Sequence, residues 1–450
     1  MTSSTKTTAD IAASVPGYDA QDLSISAASA FLAALAQPVA QTEDVAIFAA
    51  LGRVLAHDVV SPVNVPPHDN SAMDGYAFDG ALLSGPAPLT LRVVGGLLAG
   101  QGWQGALAAG DCVKIMTGAP LPAGLDTVVP HERVTLQGDS ICFDPTGMRR
   151  GANRRLAGED VRQGQPALRQ GDRLAAAALG LLASLGLATV TVFRRLRVAY
   201  FSTGDEILSL GEAPRPGAVF DSNRYTVFGL LTRLGVETID LGVVRDDPAL
   251  LRAAFLQAAQ QADAILTSGG MSLGDADHTR SLLAALGDVV FWQLAIRPGR
   301  PMAAGRISDL QENNAAGAGS TCATSYINNS KMPAVLFGLP GNPVAVMVAF
   351  LALVRPALLQ MMGSNAASAA PAPLLQARSL QPIRKRPGRT EYQRGIVEAG
   401  ADGQLSVRLT GHQGSGVLSS MVQANGLVVL AHDQGDVAAG DSVAVMLLEN

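Results

Sequence analysis

The chain is poor in cysteine: its 450 residues include three, Cys112, Cys142 and Cys322. These stand far apart, with no CxxC spacing and no histidine pattern beside them, so neither a zinc site nor a disulfide framework is supported. So little thiol chemistry points to a reducing, cytoplasmic compartment. An excess of basic charge is also missing. Lysine and arginine number 33 against 38 acids, a net charge of −5, so there is no global footprint for nucleic acid and any anion site has to be built locally. Residues 1–20 are rich in Ser, Thr and Ala. They lack the continuous apolar core of a secretory signal and read as a disordered tail.

Long apolar runs are scarce as well. Leu174 to Phe193 carries no charge over 20 positions, the length of a bilayer span. Gly180 and Gly186 interrupt it and its end alternates as TVTVF, which fits a short Ala-rich helix stopped at Gly186 and followed by a strand. No membrane segment is expected. The six histidines, His57, His68, His131, His278, His412 and His432, are scattered, and no Ser/His/Asp or Cys/His set can be argued from their spacing. Gly100 to Gly105 (GQGWQG) matches GxGxxG formally, but no helix of adequate length follows it, so it is not a dinucleotide fingerprint.

At roughly 100 to 200 residues per domain, the length allows two to four domains. Residues 24 to 58 suggest helices: Ser26 can cap a stretch through Leu35, and Ile47 to Val59 has helical spacing around Gly52. From 87 to 170 short β-rich runs take over: Leu89 to Val94, Cys112 to Met116, Thr127 to Leu136 and Ile141 to Phe143. Residues 197 to 361 then alternate. Strands are expected at Val198 to Phe201, Thr238 to Leu241, Ala264 to Leu266, Val289 to Leu294 and Val335 to Phe337. Helices are expected at Asn223 to Leu234, Pro248 to Gln261, Thr279 to Leu286 and Pro343 to Met361. Such alternation marks a doubly wound, mostly parallel α/β domain. After an Ala, Ser and Pro linker at Asn365 to Pro373, short strands return around Asp402-Gly403, read as a two-residue hairpin turn in a small β barrel or sandwich. The expected division is a tail (1–20), a helical and extended linker domain (21–64 with 171–195), a small β-rich domain (65–170), the α/β domain (196–364) and the C-terminal β domain (374–450). Gln311 to Lys331 reads as a polar, mobile insertion.

Ligands of an open parallel sheet bind beyond the carboxyl ends of its strands. Polar loops gather there: STGDE (202–206), RDDP (245–248), TSGGMSLGDAD (267–277) and LPGNP (339–343). Any one of them has a plain reading as a turn, a cap or a helix start. Together they favour a shared site. Backbone N–H groups of Ser268, Gly269, Gly270 and Ser272 suit a phosphate, as does the helix start after Pro340, Gly341, Asn342 and Pro343. Acids recur at Asp205, Glu206, Asp246, Asp247, Asp275 and Asp277, and a divalent cation, magnesium by preference, would relieve their repulsion. RPGRP (297–301) supplies two arginines that can fork onto a tetrahedral oxyanion. PPHDNSAMDGYA (66–77) is too polar and turn-rich for a core strand.

These segments resemble the molybdopterin molybdenumtransferases, the bacterial MoeA type related to the E domain of gephyrin. The resemblance is carried in family order by DNSAMDGYA (69–77), KIMTGAP (114–120), GED (158–160), STGDE, RDDP, TSGGMSLGDAD, RPGRP, GLPGNP (338–343), RTEYQRG (389–395) and TGHQGS (410–415). It implies a homodimer of four-domain subunits, with the small β domain of one facing the α/β domain of the other. It also implies that adenylylated molybdopterin and molybdate give molybdenum cofactor and AMP with magnesium, and leaves room for contact with a molybdopterin adenylyltransferase. By motif position, Asp246 and Asp277 would hold magnesium, leaving Asp275 a loop acid. Arg297, Arg300, Pro301, Arg389 and Ser415 would form the molybdate site. Asp74, Thr117, Asp160 and Glu206 match positions associated with activity. Departures are modest: Arg297 and Arg300 stand where many members have lysine, Gln293 replaces a common lysine, and Ala345 sits where serine often occurs. A scaffold that keeps the fold without turnover, or an adenylyltransferase using the α/β domain alone, are the competing readings.

Overall fold

The computed structural model describes residues 6–270, 277–308 and 332–448. At its centre four strands run parallel in the order Glu237–Val244, Arg197–Thr203, Ala264–Ser268, Ala334–Leu339. Pro301–Ile307 and Gly287–Gln293 extend the sheet antiparallel. Side chains alternate across it, as the two-residue period of a strand requires. Val198, Tyr200, Leu266 and Phe337 face one core, shared with Val227, Leu231 and Phe350. Ala199, Phe201, Ile265 and Leu336 face the other, under Phe255, Ala258 and Leu283. Each large apolar side chain so buried contributes about 1.5–3 kcal/mol. The helices Ser222–Leu234, Pro248–Gln261 and Asp277–Leu286 fall where periodicity places them. The strand Pro301–Ile307 has no such signal, because PMAAGRI is short of β-branched and aromatic residues; Gly287 and Gly305 have no room for a side chain where the strands meet.

The stretch Pro343–Met361 is long and apolar enough to cross a membrane, but 72% of its apolar window is buried inside the protein, as befits a core helix. Its turns widen at Phe350–Val354, just before Pro356, whose ring cannot donate to an α-helical bond.

Several local expectations are corrected. Residues 6–20 are not a disordered tail throughout. Thr7 and Asp10 form a capping box on the helix Thr8–Ser14, Ile11 is fully buried in the main core, and the Thr8 N–H donates to Asp288 at 2.6 Å. The helix Ile25–Leu35 is capped by Ser24 rather than Ser26 and packs Phe31, Leu32 and Leu35 into the α/β core. Ile47 to Val59 is not a helix. It makes a three-residue turn at Ile47–Ala49, reverses at Gly52 (φ 73°), and then bridges Val54 to Arg173 and Leu55 to Val192. Thr127 to Leu136 is split at Pro130, which has no N–H for the ladder, into Thr127–Pro130 and Thr135–Gln137. The Asp402-Gly403 turn lies within a longer loop, closed by Gly400 N–H to the Gln404 carbonyl.

Leu174 to Phe193 folds as expected, with a helix at Ala176–Ser184, a left-handed Gly186 and a strand at Thr189–Phe193. The small β domain is a six-stranded sheet in which Gly75–Phe78 lies between Thr127–Pro130 and Asp111–Ile115 and is buried throughout, so the end of the polar 66–77 segment is a core strand after all. Cys112 is buried there, its thiol pushed up to about 12 by that burial and by Asp111, hence chemically quiet. The C-terminal domain is a barrel closed by the pairing of Thr390–Ala399 with Gly426–Leu430. One further pair, Ile296–Arg297 alongside Thr390–Glu391, stitches the α/β domain to it.

Candidate active site

A cleft of about 1030 Å³ opens where the parallel strands end. It receives Glu206 from the first loop, Ser268, Gly269 and Gly270 from the third strand, and Pro340, Gly341, Asn342 and Pro343 from the last. Arg297, Arg300 and Pro301 form another wall, and the barrel closes the cleft with Arg389 and Ser415. Thirteen of the nineteen residues singled out as site candidates therefore share one concavity.

The floor is set by a close backbone approach. Gly269 adopts φ 93°, and a Cβ there would lie 2.3 Å from the Thr203 carbonyl oxygen, so only glycine lets these two strand ends touch. Beneath it the buried Tyr200 hydroxyl is 2.7 Å from Ser268 Oγ and 2.9 Å from Ser202 Oγ. Burial raises the Tyr200 pKa above the usual phenol range, against the lowering effect of both serines. The Ser268 hydroxyl is thus held in the floor. Asn223 donates to the Gly341 carbonyl at 2.7 Å, tying the helix Ser222–Leu234 to the LPGNP loop. Asp221 caps that helix through Arg224 N–H, while its other carboxylate oxygen and the Asn223 amide oxygen are buried without a hydrogen bond inside the protein. Asp221 and Asn223 both line the cleft yet belong to no motif singled out from the sequence. Their one signal was the FDSN string at a helix start, which an ordinary cap also produces.

The cationic wall rests on buried polar work in the barrel. Arg394, 1% exposed, donates to the carbonyls of His412 and Gly414 and to Ser420 Oγ at 3.0 Å, shaping the loop that carries Ser415. Burial, and then the charge of Arg297, lower its pKa. The Ser415 carbonyl accepts from Val344 N–H at 3.1 Å, so one amide at the start of the helix Pro343–Met361 is already spent. Asn342 holds the cap position but its side chain caps nothing, which narrows the anion site expected there.

The acids divide. Asp247 caps the helix Pro248–Gln261, accepting from Ala249 and Leu250 N–H, each at 2.9 Å. Asp246 lies on the same exposed loop, outside the cleft lining, and its N–H reaches Asp205 Oδ1 at 3.4 Å. Asp277 opens the helix Asp277–Leu286; its side chain, with Ser272, Asp275 and the 311–331 insertion, lies outside the described residues. Among the described residues no three His, Cys, Asp or Glu side chains gather as a complete metal site.

Asp74, Thr117 and Asp160 do not line this cleft. They belong to the small β domain and its return loop. Asp74 Oδ1 accepts from both the N–H and the hydroxyl of Thr117, each at 2.7 Å. The two Thr117 bonds hold the Asp74 carboxyl below the usual aspartate range. Asp160 is exposed, with its N–H donating to the Val65 carbonyl at 3.0 Å.

Three family models cover most of the chain. The "MoeA N-terminal region (domain I and II)" matches residues 23–186, the "Probable molybdopterin binding domain" 199–360, and the "MoeA C-terminal region (domain IV)" 376–448. A molybdopterin molybdenumtransferase from Haemophilus influenzae is 38% identical, over 90% of this chain and 93% of its own. One from Nostoc sp. is 34% identical over 90% and 89%. Gephyrin from Dictyostelium discoideum is 30% identical over 91% of this chain and 60% of its own. The crystal structure of a molybdopterin biosynthesis moeA protein from Pyrococcus horikoshii OT3 superimposes with a TM-score of 0.76 at 25% identity, covering 95% of this chain and all of that one.

Proposed function

The chain belongs to the molybdopterin molybdenumtransferase family, and we propose that its cleft takes adenylylated molybdopterin and molybdate, leaving molybdenum on the pterin and releasing AMP. The observation that carries this reading is the union, in one cleft, of a glycine-walled floor and an arginine wall supplied by two domains. Bare backbone at Gly269 and Gly270 lets a phosphoanhydride lie close to N–H donors. Arg297, Arg300 and Arg389 carry charge and forked donors matched to a tetrahedral oxyanion, with the Ser415 hydroxyl beside them.

Cleaving a phosphoanhydride needs charge stabilisation and alignment more than a covalent nucleophile. Glu206 is a carboxylate in the cleft able to accept a proton from an incoming water. Asp246 and Asp277 are the residues that would hold magnesium, whose chemistry when bound is to neutralise phosphate charge. Asp74, Thr117 and Asp160 face no part of the cleft in their own subunit, which supports a homodimer in which the small β domain of the partner completes the site. The adenylylated substrate calls for an adenylyltransferase upstream, and direct transfer between the two enzymes is part of this reading. The purified chain with magnesium and molybdate is expected to release AMP from adenylylated molybdopterin. Tight binding without release, where a known transferase turns over, would favour a scaffold instead.

A further inference from the structure

The arginine wall has a support within RTEYQRG, the segment that also carries Arg389. Glu391 is 2% exposed, yet it sits at the seam where Ile296–Arg297 of the α/β domain runs parallel to Thr390–Glu391 of the barrel, Arg297 level with Glu391. Its Oε1 accepts from Arg389 Nε at 2.9 Å. Its Oε2 lies 3.9 Å from Arg297 Nη1 and accepts from Gln393 Nε2 at 3.2 Å. One buried carboxylate therefore stands between two guanidiniums that line the cleft. Without it, two like charges on adjoining strands would repel and swing toward solvent, since their side chains are 58% and 39% exposed. Because Arg389 is gripped through Nε, the donors of its terminal nitrogens remain for a ligand.

We propose that Glu391 is a positioning residue for the oxyanion: it holds Arg389 and Arg297 at a fixed separation, so that guanidiniums from two domains converge on one molybdate. This rests on the reading of the arginine wall as the oxyanion site. A purely structural role for Glu391 is the alternative. Lys385, 3% exposed, donates its Nζ to the carbonyls of His432 and Arg386 at 3.0 and 3.1 Å, and Glu391 would then serve only to balance charge in the barrel.

The two are separated by a double-mutant cycle on the full chain, with inorganic molybdate and AMP as calorimetric probes. Glu391→Gln is expected to weaken molybdate about tenfold, while AMP affinity stays within about twofold. In an Arg389→Ala background the same change should cost clearly less than in the wild type, because one of its two targets is already gone and Arg297 alone remains to be released. Full additivity, or equal losses for molybdate and AMP, overturns the positioning role. If wild type and Arg389→Ala bind molybdate alike, the oxyanion reading itself falls, and this inference with it. Should Glu391→Gln fail to fold, Glu391→Asp keeps the charge but shortens its reach. It should lose molybdate several-fold at an unchanged Tm, and wild-type binding by the Asp variant overturns the proposal.

Discussion

Gly269→Ala puts the floor of the cleft to a quantitative test. The added methyl would start 2.3 Å from the Thr203 carbonyl oxygen and 3.1 Å from its Oγ1, with the backbone at φ 93°. Carbon–oxygen contacts settle near roughly 3.3 Å, so one of the two strand ends has to retreat by about 1 Å. The left-handed backbone costs about 1–2 kcal/mol for a residue with a side chain, and forced overpacking about 1–3 kcal/mol more. Their sum, about 2–5 kcal/mol, is expected in chemical denaturation followed by tryptophan fluorescence, which Trp292 reports from the main core. A retreat of that size at a phosphate site should also lower AMP release by about 100-fold. Gly403→Ala is the control. It has φ 77° with nothing within 4 Å of the would-be methyl, so it should show only the backbone cost of about 1–2 kcal/mol and full turnover. Equal stability losses in the two variants, with turnover kept in both, would refute the close-approach argument.

Three further outcomes follow from the same geometry. Arg300→Ala should raise the half-saturating molybdate concentration by about 10- to 150-fold, the worth of charged hydrogen bonds, and leave pterin nucleotide affinity nearly untouched; a fall in pterin affinity alone means the cleft is divided wrongly. Tyr200→Phe strips the 2.7 and 2.9 Å contacts from Ser268 and Ser202 and should cost about 1–3 kcal/mol in urea unfolding, so unchanged stability would show that the serines re-pair without it. Thr117→Val removes one of two donors to Asp74 and should move that carboxyl part of the way back to the ordinary aspartate range, as read by NMR titration. Because the folded-state pKa is depressed, the stabilisation is present above the unfolded-state pKa and is lost as pH falls through the folded one; the acid-unfolding midpoint of the variant should rise, and an unmoved carboxyl titration would break the assignment.

The fold was legible where pattern and burial coincide. Val198 to Phe201 and Ala264 to Leu266 are apolar runs covered on both faces, and the helices between them carry caps that the sequence displays, such as Asp247 before Pro248. It was illegible where tertiary contact decides. Ile47 to Val59 has helical spacing, but Gly52 and pairing with Arg173 and Val192 pull it into extended form. Ile11 looks like one apolar residue in a polar leader until the core is there to receive it. The same division runs through the site. Loops that follow strands could be assigned to one sheet edge from topology alone. Asp221 and Glu391 act through their burial, Asn223 through the Gly341 carbonyl and Glu391 also through Arg297 of another domain, and no local spacing announces that.

Arginine rather than lysine at 297 and 300 makes physical sense in this setting. The cationic wall is crowded: Arg297 bears on Arg394, which burial already disfavours as a cation, and Lys385 has its pKa lowered by burial, with Arg389 pushing the same way and Glu391 opposing. A lysine at position 297 would feel the same fields, and an ammonium gives up its proton far more readily than a guanidinium. Arginine at 297 and 300 adds planar forked donors to the charge, so the wall can be dense in cations and still meet an oxyanion through paired bonds. That density needs a buried anion at its centre, and Glu391 is the carboxylate within reach of both Arg297 and Arg389. The identity of the cations and the burial of the acid are thus one arrangement, set at a strand pairing that joins two domains.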